Sequence, residues 1–258
     1  MENTHNDQIL DQFTRQAVGF SQSPQIRNEA VLNRIVELAQ TGSEDTVLDV
    51  ACGPGLLACA FAGVAQHVTG IDITPRMLEQ AKQNQSAKNL TNLVWHQGDA
   101  TSLPFDNATF SVVATRFSFH HFVEPLAVLR EMRRVCKPGG MVVVNDSSPA
   151  PDKADAYNYM ERLRDPSHTR SLSPEELAGL FKAAGMGEAR VEPLPMAYEL
   201  ESLLARSFPV EGGIQKIRQL FFDSLSDDRL GLAPFDKDGQ ILFTLPTTVV
   251  SAKNPARE

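Results

Sequence analysis

The sequence lacks any apolar run approaching the ~18 residues that a membrane-spanning helix needs. Residues 1–7 have neither the basic start nor the apolar stretch of a secretory signal, so none is expected. Cysteine is scarce. Cys52, Cys59 and Cys136 are odd in number and form no CxxC pair, which predicts a reducing compartment, hence the cytoplasm. These absences exclude secreted disulfide-rich proteins and membrane-spanning proteins.

Positive charge is also in short supply. The 24 Lys and Arg residues are outnumbered by 32 Asp and Glu residues, which gives a net charge of -8. Nucleic-acid-binding proteins usually present a basic surface, so neither DNA nor RNA is expected as a partner. The 258 residues are enough to bury the core of one α/β domain without a disulfide or a metal.

From Thr46 onwards, short apolar runs alternate with helical patterns. Strands are predicted at 47–50, 68–71, 92–95, 110–114 and 141–144, with helices between them. This alternation predicts right-handed βαβ units in a doubly wound, mostly parallel sheet whose binding site lies at the carboxyl ends of the strands. A last strand, from Ile241 through Val250, is expected to return to this sheet.

Two segments depart from this rhythm. The first 45 residues predict an N-terminal helical arm, in which Ser23 caps a helix that Pro24 begins and Gly42 ends. Residues 147–240 predict further helices, one of them opened by a capping box at Ser173. We expect the arm and this second segment to pack together as a cover over the carboxyl edge of the sheet.

A glycine-rich loop between the first strand and its helix, VLDVACGPGLLA at 47–58, carries the most information. Gly53 and Gly55 allow a sharp turn and a close approach of the backbone to a ligand. The spacing Gly53-x-Gly55-x-x-Ala58 also fits a loose dinucleotide pattern, which leaves an NAD-dependent oxidoreductase as an alternative. Asp49, at the strand end, would repel a pyrophosphate but attract an ammonium or a sulfonium.

Two more carboxylates follow at the ends of later strands. Asp72 ends the second strand, where a ribose diol lies in this topology. Asp99 follows the third strand, where it can accept the exocyclic amine of adenine. Together with Asp49, these residues favour a nucleoside cofactor with a cationic tail.

Five signatures occur in order: LDVACGPG at 48–55, GIDITPRML at 70–78, QGDATSLPF at 97–105, FSVVATRFSFHH at 110–121 and LREMRRVCKPGG at 129–140. With them, residues 10–145 resemble the class I S-adenosylmethionine-dependent methyltransferases, especially the small-molecule group that includes the ubiquinone/menaquinone biosynthesis C-methyltransferases. The resemblance implies a seven-stranded Rossmann-like sheet in a single methyltransferase domain. Its parts would be the arm (1–45), the cofactor-binding core (46–146), the cover (147–240) and a returning strand with a tail (241–258).

The resemblance also implies roles for individual residues. The methionine part of S-adenosylmethionine would be lined by Asp49, Ala51, Gly53 and Gly55, and the sulfonium would lie over Arg116 and Phe117. Asp72 would hold the ribose, and the adenine would contact Ile73, Met77, Asp99 and Ala100. The arm would close over the cofactor with Phe20 and Arg27. Ala51 departs from the family, which often has glycine there.

Three histidines are candidate catalytic residues. His120 and His121 follow the fourth strand, where the transferred methyl group would lie, and His168 belongs to a polar cluster at 164–170. A neutral imidazole there can take a proton from a substrate hydroxyl or carbon. The alternative is a structural role, with rings that pack into turns or bond to the backbone. No metal site is expected, because the adjacent histidines should point apart and no cysteine or carboxylate has ligand spacing.

The predicted function is methyl transfer from S-adenosylmethionine to an oxygen, nitrogen or carbon atom of a small-molecule acceptor. The segment after the fourth strand lacks the Asn/Asp-Pro-Pro-Tyr signature of nucleic-acid amino-methylating enzymes, which also argues against DNA. An NAD-dependent oxidoreductase and a non-catalytic S-adenosylmethionine-binding module are the alternatives. The oligomeric state stays open, with a homodimer among the options.

Overall fold

The computed structural model describes residues 4–256. In this part of the chain the strands are β1 (Thr46–Val50), β2 (His67–Asp72), β3 (Leu93–Gln97), β4 (Phe110–Arg116), β5 (Cys136–Ser147), β6 (Arg190–Pro193), β7 (Met196–Glu199), β8 (Phe235–Lys237), β9 (Gln240–Leu245) and β10 (Thr247–Lys253). The main sheet has the order β3-β2-β1-β4-β5-β10-β6. The first five strands in this order are parallel, and β10 is antiparallel to β5 and β6. The prediction of a seven-stranded, mostly parallel sheet is therefore confirmed.

Helices cover both faces of this sheet. They are α1 (His5–Ser21), α2 (Glu29–Leu38), α3 (Leu56–Ala62), α4 (Pro75–Ala87), α5 (Pro125–Val135), α6 (Ala154–Arg164), α7 (Pro174–Ala183), α8 (Leu200–Leu204) and α9 (Gly213–Ser224). Successive strand residues point to opposite faces. Val47 thus packs in a core with α2 and α3, whereas Leu48 packs in a second core with α5 and α7. Both faces are apolar, as a doubly wound sheet requires.

The arm differs from its prediction in where its second helix begins. The helix starts at Glu29, and the side chain of Asn28 caps it by accepting the N–H groups of Ala30 and Val31. Ser23 does not cap a helix, because its hydroxyl bonds to Gln25 and its carbonyl accepts the N–H of Arg27 in a turn. The helix also ends earlier than Gly42, at Leu38.

The cover is less helical than predicted. Its strands β7 and β8 form a three-stranded antiparallel sheet with β9 of the following segment, in the order β7-β9-β8. The expected strand from Ile241 through Val250 is therefore wrong as a single element, since β9 belongs to this small sheet and only β10 enters the main sheet. Pro246 lies between them and has no N–H to continue a ladder.

The arm and the cover pack against each other, as expected. On α1, the amide of Gln12 donates to the carbonyl of Phe208, and that of Gln16 donates to Asp165. The capping box predicted at Ser173 is present at the start of α7. Within residues 4–256, no helix combines the length and the apolar character needed to cross a membrane.

Candidate functional site

A cavity of about 250 Å³ lies at the carboxyl ends of β1, β2 and β4. All the residues predicted to contact the cofactor line it, except Gly55 and Arg27; they are Phe20, Asp49, Ala51, Gly53, Asp72, Ile73, Met77, Asp99, Ala100, Arg116 and Phe117. The structure thus brings together side chains from four separate signatures and the arm. We call this space the first cavity.

Gly55 and Arg27 do not line the first cavity, but both make contacts in the elements around it. Gly55 has a φ of 72°, and a Cβ there would lie 2.4 Å from the Trp95 ring, so this glycine shapes the loop without lining the cavity. Arg27 was expected to close over the cofactor. Its guanidinium instead donates to the Ser21 carbonyl and to Asn84 of α4, which fastens the arm to the core.

Asp72 organises the glycine loop. Its Oδ2 accepts the N–H of Gly53 and its Oδ1 accepts the N–H of Thr74, each at 2.8 Å. Thr74 makes no side-chain cap of its own for α4. Burial raises the pKa of Asp72, and these N–H bonds oppose that rise. A carboxylate oxygen can accept more than one bond, so the residue remains able to accept ribose hydroxyls.

Two buried polar atoms in the wall of the first cavity have no hydrogen-bond partner within residues 4–256: Oδ2 of Asp49 and Nε of Arg116. Burial raises the pKa of Asp49 to about 8 and lowers the pKa of Arg116 to about 10. Unpaired buried polar groups are costly, which makes a ligand with its own polar and charged groups a suitable occupant. The donor and acceptor set fits the amino-acid end of S-adenosylmethionine.

The arm contributes more to the first cavity than the sequence indicated. His5, Asn6, Ile9 and Phe13 of α1 line it, and Asn6 donates to Asp99 at 2.9 Å. Asp99 also caps its own turn by accepting from Thr101. The helical spacing of the arm could have indicated these contacts in the sequence, because positions 6, 9, 13, 16 and 20 fall on one face of a helix.

A second cavity of about 100 Å³ adjoins the first. The two share Phe13, Phe20, Ile26, Phe117 and His121. The remaining wall comes mainly from the cover and includes Tyr157, Met160, Glu161, Arg164, Asp165, Tyr198, Leu203, Arg206, Ser207, Phe243 and Leu245. The second cavity is thus aromatic and carries ionisable groups.

His120 and His121 sit in a short 3₁₀ turn, Phe119–His121, after β4. Their ring centroids are 4.2 Å apart, so the expectation that they point apart is wrong. Tertiary partners hold both rings: Nδ1 of His120 bonds to Asp146, and Nδ1 of His121 donates to the Ser167 carbonyl at 3.0 Å. Both residues line the second cavity.

His168 occupies a different environment. Its Nε2 donates to Asn158 at 2.7 Å, and its buried Nδ1 has no partner within residues 4–256. It lines neither the first nor the second cavity, which does not favour the predicted catalytic role. Burial holds the pKa of His168 far below its usual range. It is a neutral packing neighbour of His120, at 5.4 Å between ring centroids.

The adjacent histidines have opposite electrostatic environments. Burial, followed by the charge of His120, lowers the pKa of His121 to about 4. Burial also acts against the charged form of His120, but the Asp146 carboxylate outweighs it with other acids and raises the pKa of His120. His121 is therefore the neutral member of the pair. Among residues 4–256, no three histidine, cysteine or acidic side chains lie together in a way that could hold a metal ion.

Comparisons with known proteins agree with this architecture. Residues 48–144 match a family described as "Methyltransferase domain". The uncharacterized methyltransferase YcgJ of Bacillus subtilis is 33% identical over 172 residues, which cover 65% of this chain and 68% of the relative. The demethylmenaquinone methyltransferase of Staphylococcus epidermidis is 40% identical over 112 residues, or 42% of this chain and 45% of that protein. The crystal structure of Bacillus subtilis YcgJ superposes with a TM-score of 0.80 at 26% identity, covering 88% of this chain and 99% of that one.

Proposed function

Because the chain belongs to the class I S-adenosylmethionine-dependent methyltransferases, we propose that it methylates an oxygen, nitrogen or carbon atom of a small molecule in the second cavity. The observation that carries this proposal is the contact between the two cavities. They meet at Phe117 and His121, beside the end of β4. A methyl donor in one cavity and an acceptor in the other would face each other there.

The residues that would hold S-adenosylmethionine follow from the wall of the first cavity. Asp49 suits the ammonium group, and Asp72 and Asp99 suit the ribose and the adenine amine. Arg116 is better suited to the carboxylate than to a place under the sulfonium, because two cations would repel each other. Its guanidinium lies over the Phe117 ring, 4.7 Å from the centroid, so this cation already occupies one face of the ring.

The bound cofactor supplies an electron-deficient methyl carbon, and its neutral sulfide is the leaving group. The protein's contribution is alignment and exclusion of water. Phe13 and Phe20 of α1 line both cavities, so the arm forms part of the wall at their junction. A protonated nucleophile also needs a base, and His121 is the neutral imidazole at this place.

The acceptor is set by the cover. The likeness to demethylmenaquinone methyltransferase spans 112 residues, or 42% of this chain, so it does not extend over the whole wall of the second cavity, which runs from Phe13 to Leu245. The small size of that cavity and its aromatic wall favour a small aromatic acceptor. The cytoplasmic location and a homodimer remain predictions.

The test is incubation of the protein with methyl-labelled S-adenosylmethionine, first with a small-molecule extract and then with a naphthoquinol, a catechol and a primary amine. We expect S-adenosylhomocysteine and a labelled small molecule in equal amounts. Cofactor binding without a labelled product in the extract would instead indicate a binding module.

A matched pair of variants tests the location of the acceptor. Ser207 lines the second cavity, whereas Ser226 is exposed. Ser207→Phe should fill the cavity and lower turnover about tenfold or more, because the acceptor loses its alignment, while cofactor affinity stays unchanged. Ser226→Phe should alter neither. Equal turnover in the two variants would place the acceptor elsewhere.

A further inference from the structure

The two neighbouring imidazoles are bonded to the protein through the same ring nitrogen, Nδ1. Nδ1 of His120 is bonded to Asp146, and Nδ1 of His121 is bonded to the carbonyl of Ser167. Within residues 4–256, neither Nε2 has a hydrogen-bond partner, and neither belongs to the buried unpaired atoms. Since both residues line the cavity, Nε2 is the nitrogen left for an acceptor in each ring.

The protein fixes the tautomer of His121. The Ser167 carbonyl can only accept, so Nδ1 of His121 carries the hydrogen and Nε2 carries the lone pair. The Ser167 hydroxyl lies 3.2 Å from Nδ1 and donates to Asp165 Oδ1 at 2.6 Å. Asp165 therefore stands behind His121, where its charge would stabilise an imidazolium formed by proton uptake.

The fixed charges around the pair separate the roles of the two rings. His120 faces Asp146 directly, and Glu161 and Asp165 add negative potential. For His121, burial and the charge of His120 lower the pKa, whereas Asp165 and Asp146 act in the opposite direction. Arg164 is held by Glu161, and neutral His168 completes the surroundings. Adjacent groups driven to opposite protonation states are the pattern of an acid–base pair.

We propose that His121 is the general base of the methyl transfer and that His120, charged against Asp146, holds the oxyanion that the base creates. The proposal rests on the proposed function and deepens it. It assigns the acceptor to molecules with an ionisable O–H, phenolic or enolic. An amine, which is most nucleophilic when neutral, gains nothing from a cation beside it.

The proposed step conserves protons and electrons. The acceptor O–H bond breaks, and its proton moves to Nε2 of His121. The remaining electron pair, on oxygen or on a conjugated carbon, forms the new bond to the methyl carbon. The S–CH₃ bond breaks, and its electrons stay on sulfur. The proton on His121 returns to water when the product leaves.

The test uses 4-nitrophenol, whose phenol and phenolate forms absorb at different wavelengths, and needs no methyl transfer. The probe is titrated into the protein with S-adenosylhomocysteine at a pH below the probe's own pKa in water. We expect the bound probe to ionise, with its apparent pKa lowered by about 1–2 units, because a cation and a base face its oxygen. Absence of binding, or binding as the neutral phenol, would overturn the proposal.

Three variants assign the effect to atoms. His120→Asn and His121→Asn keep a donor at the Nδ1 position for Asp146 and Ser167 but remove Nε2. Each should abolish the shift while S-adenosylhomocysteine binding, measured by calorimetry, shows that the fold is intact. His168→Gln, which keeps the donor to Asn158, should leave the shift unchanged. A shift that survives in either asparagine variant would contradict the proposal.

The probe also separates the two proposals. Ionised 4-nitrophenol without labelled product in the methyl-transfer assay would leave the acid–base pair standing and count against the proposed function. Labelled product with an unionised probe would do the reverse.

Discussion

The cofactor-binding core and the cover meet at one site but are built in different ways. In the core, signature residues perform backbone tasks: Asp72 holds the glycine loop, and Gly55 leaves room for Trp95. In the cover, the residues that line the second cavity come from α6, β7, α8 and the loop segments near them, and β9 of the following segment adds Phe243 and Leu245. A position that fixes the backbone conformation tolerates few residue types. A position whose side chain contacts the methyl acceptor is expected to differ between proteins that methylate different acceptors. This difference explains why the family match covers 48–144 alone.

The largest effect is expected from a methyl group in the glycine loop. Gly55→Ala combines a φ of 72° with a Cβ placed 2.4 Å from Trp95. We expect a loss of roughly 2–5 kcal/mol in the free energy of unfolding, from strain and overpacking together, and weakened cofactor binding. Urea unfolding and calorimetry measure the two effects.

Gly239 in the cover is the matched control. It has a φ of 81°, but no atom lies within 4 Å of the position of a Cβ. Gly239→Ala should therefore show the backbone cost alone, about 1–2 kcal/mol. Equal losses in the two variants would mean that Trp95 moves aside and that the core is no more constrained than the cover.

The sequence was sufficient for most of the core because its signals are local. Strand runs, turn glycines and strand-end acids each mark their own position, and the topology then brings them to one edge. The first cavity therefore contains most of the predicted cofactor contacts. Arg27 does not line the first cavity, because the residue type alone does not reveal which partner a long side chain reaches. It bonds to Ser21 and Asn84.

The cover could not be predicted to the same depth. Its small sheet pairs β7 with β9, which are separated in the chain by α8, α9 and β8, so no local sequence pattern indicates the pairing. The environment of His121 likewise depends on Ser167 and Asp165, 44 or more residues later in the chain. Adjacent histidines were expected to diverge, yet a 3₁₀ turn holds their rings together.

A second prediction concerns the buried carboxyl of the core. Burial raises the pKa of Asp49 from its ordinary 3.8 to about 8. Between these two values the folded state keeps a proton on Asp49 that the unfolded state releases. The stability that this protonated carboxyl contributes is therefore complete below pH 3.8 and is lost as the pH rises through 8. A cationic ligand favours the ionised form. Affinity for S-adenosylmethionine should therefore rise with pH up to about 8, by at most about tenfold per unit.

Calorimetry across this pH range checks the dependence. Asp49→Asn should flatten it, whereas Asp152→Asn, an exposed residue at the start of the cover, should retain it. If the affinity for S-adenosylmethionine still rose steeply with pH in Asp49→Asn, the ionisation that controls binding would belong to another group. Asp49 would then have no part in the pH dependence of cofactor binding.

A smaller effect than that of Gly55→Ala is expected where the arm meets the cover. Gln16 is buried and donates to Asp165 Oδ2 at 3.1 Å, so Gln16→Leu leaves a buried carboxylate short of one donor, at a cost of about 1–3 kcal/mol. Its neighbour Arg15 has an exposed ion pair with Asp11, and Arg15→Leu should cost less than about 1 kcal/mol.

Hydrogen exchange with and without S-adenosylhomocysteine locates the loss of stability in Gln16→Leu. In Gln16→Leu, amides of α1 and of residues 164–170 should exchange faster while β1, β2 and β4 keep their protection, because the cover opens separately from the core. Faster exchange throughout the sheet would show that the two regions unfold as one unit and would remove the distinction between them.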